Sequence, residues 1–357
     1  MLVPRMGDAV PLDRLIASMP KAELHLHLDG SVRVKTALEL ARTREVDAPT
    51  TREGMRSVLV APPRTASQAE LLRAFDLPIE LLQDAEALER VAGELVESKV
   101  ADGVRYLEIR WAPLLHTRRG LDVSDGIAAV VRGATDAARQ ADEPHAPVVV
   151  RLICTALRTH DPGANRALAR TAARWRDDGL TGWDLAGPEA LAPDPLVHRE
   201  AFEEARAGGL RITLHAGEWG GAPQVRRALE PEPERIAHGA VAADDPALVA
   251  ELVARGITLD LCPTSNVQAG LFPDVAAHPL ARLHRAGVSV TLSTDDTTVS
   301  DLTLGEEYRR AVEEIGLSPA ELWVIDRRAL DVAFADESTL IRQRAAFDAW
   351  APSAGLV

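Results

Sequence analysis

The sequence predicts an α/β fold, a single (β/α)8 TIM-type barrel with extra helices, for three reasons. Apolar, strand-like runs alternate with helical patterns along the 357 residues, which is typical of parallel strands joined by helical crossovers. Eight such strand candidates can be counted, the number that closes this barrel. Most of them begin apolar and end polar, and in a barrel the carboxyl ends of the strands meet at one mouth. A doubly wound open sheet is the alternative.

In the first half of the chain, four strand candidates alternate with helices. Leucines alternate with polar residues in 22–33 (AELHLHLDGSVR), which is the period-two pattern of a strand. The next three candidates are apolar runs, 106–113 (YLEIRWAP), 148–156 (VVVRLICTA) and 181–187 (TGWDLAG). Apolar residues at three- and four-residue steps predict helices at 33–45, 70–82, from 84 onward, around 127–139 and at 165–176.

The second half repeats the alternation more tightly. A helix over 195–207 should end at Gly208 and Gly209, and Asp245 with Pro246 supplies the N-cap and first turn of another helix. The capping box SPAE opens a helical C-terminal tail of about 318–357. The last four strand candidates, with a helix around 280–286 before the final one, are 211–218 (RITLHAGE), 235–239 (RIAHG), 258–266 (TLDLCPTSN) and 289–296 (SVTLSTDD).

Composition limits the partners and the location of the protein. A formal net charge of -14 argues against a nucleic-acid or anionic-membrane surface, since both need basic patches. No apolar run approaches the ~18 residues that span a bilayer, and Cys154 and Cys262 are expected to be buried, reduced thiols. No linker divides the chain, so we expect one cytoplasmic domain over 1–357, with a short N-terminal extension of about 1–18. The sequence does not indicate an oligomeric state.

Two histidines one residue apart in the first strand candidate indicate a metal site. Strand alternation places Glu23, His25, His27 and Asp29 on one side, and neutral imidazoles suit a zinc-like divalent ion. A lone pair of this kind could equally be chance in a polar strand. If strand ends meet at one mouth, however, His215 and Asp295 would join as ligands and leave room for a water. We therefore predict one Zn²⁺ per chain, which would lower the pKa of that water to about 7.

Further polar residues are predicted at the same mouth, and each has a plainer explanation. Glu218 follows the ligand His215 on the loop facing the mouth, but it could be a helix N-cap neighbour. His238 could be an ordinary hydrogen-bonding histidine beside a glycine turn. Asp295 and Asp296 are consecutive, so they should point to opposite sides unless the backbone turns there; one could then face the metal and the other the substrate.

The motifs PKAELHLHLDGS, LHAGE, AHG, CPTSN and STDD, in this order, resemble the adenosine deaminase family of zinc-dependent purine deaminases. The similarity covers about residues 19–343. It implies a (β/α)8 barrel that holds one zinc ion through His25, His27, His215 and Asp295. It also implies hydrolytic deamination of adenosine or 2'-deoxyadenosine to the inosine product and ammonia, with a small purine nucleoside as the partner.

The resemblance assigns catalytic and substrate-binding roles. Glu218 matches the residue that protonates N1 of the purine, and His238 matches the residue that orients the attacking hydroxide. Asp296 matches a hydrogen-bond partner of N7, and Gly187 a backbone donor to N3. Asp29 matches a residue that hydrogen-bonds the ribose 5'-hydroxyl, whereas adenine-specific relatives resemble HxHxEG. The sequence HLHLDG therefore favours a nucleoside over the free base and, because two anions would meet, disfavours AMP.

Other positions leave the exact substrate open. Leu71, Leu72 and Phe75 match an apolar flap over the ribose, although such a stripe is equally well explained as helix core. Pro188 stands where an aspartate is common in the family. Adenine, a 5'-modified adenosine, or a catalytically inactive barrel that only binds are the alternatives to adenosine deamination.

The remaining charged and imidazole side chains are interpreted as structural. Glu108 and Arg110 are expected to form an internal ion pair in their strand. The histidines outside the predicted site are expected to lie on the surface or to serve structure: His116, His145, His160, His198, His278 and His284.

Overall fold

Parallel strands and helices alternate along the chain in the computed structural model, which describes residues 11–143 and 146–356. The α-helices that precede or follow the strands are α1 (Leu12–Ser18), α2 (Val34–Thr43), α3 (Arg52–Leu59), α4 (Gln68–Leu72), α5 (Asp76–Leu81), α6 (Ala85–Ala101), α7 (Val123–Ala141), α8 (Pro162–Ala173), α9 (Arg199–Ala207), α10 (Gly221–Ala228), α11 (Pro246–Arg255), α12 (Pro263–Gln268), α13 (Leu280–Arg285), α14 (Leu304–Glu313), α15 (Pro319–Val332) and α16 (Glu337–Trp350). The strands are β1 (Lys21–His27), β2 (Val104–Trp111), β3 (Val149–Leu157), β4 (Leu180–Ala186), β5 (Arg211–Ile212), β6 (His215–Ala216), β7 (Arg235–His238), β8 (Thr258–Leu261) and β9 (Ser289–Leu292).

The strands pair in sequence order and close on themselves. Strands β1 to β5 form one parallel run and β6 to β9 another. The short strands β5 and β6 are two parts of the predicted strand 211–218, and between them Thr213 N–H still donates to the Trp183 carbonyl of β4 at 2.9 Å. The other seam joins β1 to the segment after β9, where His27 N–H donates to the Asp295 carbonyl at 2.7 Å. The (β/α)8 barrel predicted from the sequence is therefore confirmed.

Buried charged residues fill part of the barrel interior. Arg235 on β7 pairs with Glu108 on β2, and its Nε lies 3.1 Å from Asp260 Oδ2 on β8. Strand β2 pairs with β1 and β3, so its contact with β7 crosses the lumen. The predicted Glu108–Arg110 ion pair is wrong. Arg110 lies instead 3.6 Å from Asp184 Oδ2 and 3.8 Å from Asp260 Oδ2, because barrel closure brings strands that are not neighbours within reach of one another.

A predicted helix and a predicted strand also differ from the structure in their extent. The helix predicted over 70–82 is divided into α4, a 3-10 turn at Arg73–Phe75, and α5. The CPTSN motif is not the end of a strand. Strand β8 ends at Leu261 and helix α12 begins at Pro263, because proline lacks an N–H and fits the first turn of a helix.

Helix α15 begins where the sequence predicts a capping box, and it packs against the barrel. Ser318 and Glu321 form a capping box at α15, which packs against β1 and β9. On the inner side of α15, Asp326 accepts a hydrogen bond from Ala22 N–H of β1 at 2.9 Å.

Of the predicted N-terminal extension, residues 1–10 lie outside the described residues. Among the helices that the structure describes, none is both long and apolar enough to cross a membrane.

Candidate active site

Four predicted metal ligands converge at the mouth of the barrel. The Nε2 atoms of His25 and His27 lie 3.2 Å apart, as do those of His27 and His215. Asp295 Oδ1 lies 2.9 Å from His25 Nε2 and 3.3 Å from His27 Nε2, and all four ligand atoms lie within 4.8 Å of one another. Ligand atoms bound tetrahedrally to one ion at ~2.0–2.1 Å are separated by about 3.3 Å. The donor set and its spacing therefore fit a single divalent metal ion.

Burial sets the protonation of these ligands. It lowers the pKa of His25 well below its usual value and also lowers that of His215, so both imidazoles are neutral and able to bind a cation. Burial alone would raise the pKa of Asp295, but His25 and His27 hold it well below its usual range. Asp295 is therefore an ionised ligand beside neutral imidazoles.

The backbone turns at Asp295, so Asp295 and Asp296 do not point to opposite sides as they would in a regular strand. Asp295 has φ 67, in the left-handed region that side chains seldom adopt. As a result Asp295 and Asp296 both line the mouth cavity, whereas in a regular strand they would point apart. Gly30 makes room for Asp296, because a Cβ at Gly30 would lie 1.7 Å from Asp296 Oδ1.

Alternation within β1 places His25 and His27 on one side, whereas Asp29 lies past the end of the strand, in a 3-10 turn at Asp29–Ser31. His25 and His27 join the metal ligands, and Asp29 lines the cavity. Glu23 is not among the cavity residues; its Oε2 lies 2.7 Å from Lys99 Nζ of α6. The register between β1 and β2 shifts between Glu23 and Leu26, and this irregularity breaks the simple two-residue period.

Sequence reasoning missed a carboxylate that supports a metal ligand. Asp184 on β4 is fully buried and accepts a hydrogen bond from His215 Nδ1, at 3.0 Å for Oδ1 and 2.9 Å for Oδ2. Such a contact fixes the histidine tautomer so that Nε2 is free to bind metal. The signal was present in TGWDLAG, where an aspartate interrupts an apolar strand. A second predicted ligand, Asp295, is held by Ser265, whose hydroxyl donates to Asp295 Oδ2 at 2.7 Å.

Glu218 and His238 lie beside the predicted metal ligands. Gly217 has φ 79, and this turn directs Glu218 toward the cavity, where 17% of its side chain is exposed. His238 Nε2 lies 3.8 Å from Glu218 Oε2 and 3.9 Å from Asp295 Oδ2. Burial, together with the carboxylates of Asp295 and Glu189, raises the pKa of Glu218 well above its usual range. Burial lowers the pKa of His238 to about 3.

The cavity at this mouth has a volume of about 310 Å³ and is lined by the other predicted substrate residues. Asp29 and Asp296 line it, and Oδ1 of each is buried without a hydrogen-bond partner among the described residues. Gly187, with φ 105, and the apolar side chains of Leu72 and Phe75 complete the wall. Burial, with the charge of Asp295, raises the pKa of Asp296 well above its usual value.

Several residues at or near the cavity were not found from the sequence. Thr155 and Trp219 line it, and Thr155 Oγ1 donates to Asp184 Oδ2 at 3.1 Å. Glu189 is buried and accepts from Gly220 N–H at 2.7 Å, which holds the loop after Glu218. Nothing in the local pattern around Glu189 distinguished it from a surface residue.

The remaining histidines lie outside the metal cluster. His116, His198 and His278 are buried, His160 and His284 are partly exposed, and His145 lies outside the described residues. His278 contacts the site through one intervening side chain, Asn266, which reaches His238.

Comparison with known proteins agrees with this geometry. Residues 20–346 match the family model described as adenosine deaminase. An adenosine deaminase from Mycobacterium ulcerans is 37% identical over 343 residues, covering 92% of this chain and 94% of that protein. Two solved structures are also similar. A zinc-bound amidohydrolase from Burkholderia ambifaria has a TM-score of 0.85 at 27% identity, covering 99% of this chain and 98% of that one.

The second solved structure is the apo form of an N6-methyl-AMP deaminase from Arabidopsis thaliana. Its TM-score is 0.84 at 29% identity, and the match covers 96% of this chain and 99% of that one. The family model spans nearly the whole described barrel, and the curated relative is similar over nearly its full length. The chain belongs to the adenosine deaminase family.

Proposed function

We propose that this protein hydrolytically deaminates adenosine or 2'-deoxyadenosine to the inosine product and ammonia, in the cytoplasm and with one zinc ion per chain. The observation that carries the proposal is that the Glu218 carboxyl group and the His238 imidazole line the cavity beside the three histidines and one aspartate that would bind the metal ion. Mere binding of a nucleoside would not require this set.

His25, His27, His215 and Asp295 would hold the zinc ion. When bound, zinc supplies a Lewis acid that makes water nucleophilic at neutral pH. The fit of these residues rests on their mutual distances and on the neutral state of the buried imidazoles. Asp184 keeps His215 in the ligating tautomer.

Glu218 is the proposed acid at N1. Addition of oxygen to C6 breaks the aromaticity of the purine, so N1 must gain a proton as the C6–O bond forms. Burial and the neighbouring carboxylates raise the pKa of Glu218 well above its usual range, which favours the protonated form that can give that proton. It can then take a proton from the added oxygen and pass it to the departing amino group.

Asp296 is the proposed partner of N7. Since N7 of adenosine is an acceptor, a carboxylic acid can contact it only as a donor. Burial beside Asp295 raises the pKa of Asp296 well above its usual value, which favours the protonated, donating form, and its Oδ1 has no partner among the described residues, so it is available to the ring. Gly187 would offer its backbone N–H to N3, and its φ of 105 disfavours any other residue there.

Asp29 and the apolar wall are proposed to select a nucleoside. The unpartnered Asp29 Oδ1 would accept a hydrogen bond from the ribose 5'-hydroxyl. Leu72 and Phe75 would cover the ribose. Among the described residues that line the cavity there is no lysine or arginine, so a 5'-phosphate would meet carboxyl groups and no basic side chain of these two types. Adenine or a 5'-modified adenosine is the second candidate substrate.

The proposal is tested by an ultraviolet deamination screen with the zinc-loaded protein. Adenosine, deoxyadenosine, adenine, 5'-modified adenosines and AMP would be compared by kcat/KM. We expect the two nucleosides to be the best substrates and AMP the poorest. Higher kcat/KM for adenine would contradict the assignment of Asp29, and no turnover of any of these compounds would contradict the proposed function.

A further inference from the structure

We propose that His278 and Asn266 are positioning residues that fix the tautomer of His238, so that His238 Nε2 carries the proton facing the reacting centre. The three side chains form a chain of hydrogen bonds in which Asn266 joins the two imidazoles at 3.1 Å each. The role given to His238 rests on the proposed function; the tautomer itself does not.

A backbone amide sets which atoms donate and which accept along these hydrogen bonds. Leu280 N–H, at the start of α13, lies 3.3 Å from His278 Nδ1. A backbone N–H can only donate, so Nδ1 of His278 must accept. Burial lowers the pKa of His278 to about 3, and a neutral imidazole carries one proton. That proton therefore lies on Nε2 of His278.

The same polarity passes through Asn266 to His238. His278 Nε2 lies 3.1 Å from Asn266 Oδ1, so the amide oxygen accepts. The amide nitrogen then faces His238 Nδ1 at 3.1 Å and donates to it. A rotated amide would place an NH₂ group against the N–H of His278, donor against donor. His238 Nδ1 therefore accepts, and its proton lies on Nε2.

Burial and backbone geometry preserve this arrangement. Asn266 is fully buried, and His238 and His278 are 1% and 3% exposed, so water does not compete for their ring nitrogens. The ring of Phe272 packs edge-on against His278 with centroids 4.9 Å apart. His238 itself has φ 65, which directs its ring from the end of β7 toward the metal ligands.

The consequence is chemical. With its proton on Nε2, His238 donates a hydrogen bond toward the oxygen that adds to C6 and stabilises the charge that develops there. The other tautomer would present a lone pair and act as a proton acceptor. The Leu280 amide, acting through the side chains of His278 and Asn266, therefore makes His238 Nε2 a hydrogen-bond donor.

The tautomer is measured directly by long-range ¹H–¹⁵N correlation spectra of the zinc-loaded protein labelled with ¹⁵N-histidine, with His238 assigned by its loss in His238→Gln. We expect a protonated Nε2 and an unprotonated Nδ1. A protonated Nδ1 in the wild-type protein would overturn the proposal. A protonated Nε2 supports it even if no purine is deaminated, and that combination would count against the proposed function alone.

Variants test the two positioning residues. In Asn266→Asp the side chain offers only acceptors, so His238 should move its proton to Nδ1 and kcat should fall by ~10²- to 10³-fold. His278→Gln keeps a donor toward Asn266 and should keep the wild-type tautomer with kcat within a few-fold. An Nε2 proton in Asn266→Asp, with wild-type kcat, would overturn the proposal.

The chain supplies a matched control. Asn165 is also fully buried and lies 3.1 Å from His198 Nδ1, but this pair is outside the metal cluster. Asn165→Asp introduces the same change beside the same ring atom. It should leave the His238 resonances and kcat unchanged, and a comparable loss of kcat in this variant would mean that the effect of Asn266→Asp is structural and would overturn the proposal.

Discussion

Replacing Asp29 by alanine should lower the turnover of adenosine far more than that of adenine. Asp29 is 6% exposed, and its Oδ1 has no partner among the described residues. A hydrogen bond to a charged, buried acceptor contributes about 1.5–3 kcal/mol. If the 5'-hydroxyl makes that bond, Asp29→Ala should lower kcat/KM for adenosine by about 10- to 150-fold.

A thermodynamic cycle isolates this contact from other effects of the substitution. Asp29 also raises the pKa of Asp296, so removing its charge can change turnover of every substrate. Comparing adenosine with 5'-deoxyadenosine, in wild type and in Asp29→Ala, cancels that common effect. The remaining coupling should be about 1.5–3 kcal/mol.

The assay is the loss of ultraviolet absorbance on deamination, followed at several substrate concentrations to give kcat/KM. Asp76→Ala is the matched control, because Asp76 lines the same cavity but is exposed. It should change kcat/KM for adenosine by less than about 2-fold, since exposed polar contacts contribute little. Equal losses for adenosine and adenine in Asp29→Ala, or a coupling near zero, would refute the assignment.

Three further predictions follow from the described contacts. Glu218→Gln should lower kcat by about 10²- to 10⁴-fold with unchanged zinc content by atomic absorption, because the amide cannot give a proton to N1; near-normal turnover would exclude the acid role. Asp184→Ala should weaken zinc binding by about 10- to 100-fold in a chelator competition, since His215 loses its acceptor; unchanged affinity would contradict that role. Burial raises the pKa of Asp326 to about 7, so between about pH 4 and pH 7 the folded chain keeps a proton that the unfolded chain loses, and stability falls as pH rises. Asp326→Asn keeps the acceptor for Ala22 N–H but has no proton to lose. Between pH 5 and pH 8, the free energy of unfolding measured with urea should therefore fall less in the variant than in the wild type, by on the order of a few kcal/mol. An equal fall in both proteins would contradict this role of Asp326.

Much of the fold could be predicted from the sequence because its signals are local. Period-two and three-to-four-residue spacing depends only on neighbouring residues, so strands and helices were located even where their ends were not. The prediction that CPTSN ends a strand was wrong, because the apolar residues before Pro263 do not show where the strand stops. The barrel followed from the order of the elements and from the polar ends of the strands.

The sequence by itself determined which residue types are available for the chemistry: the pair His25 and His27 on one strand, and the HAGE motif that ends at Glu218. It could not determine which side chains meet, because those distances depend on closure of the barrel. Only the tertiary structure shows the left-handed turn at Asp295 that aims two consecutive aspartates into one cavity. It alone places Asp184 behind His215, and Asn266 between His238 and His278. These contacts join residues that lie 12 to 31 positions apart in the chain, and no local pattern encodes the distance between their atoms.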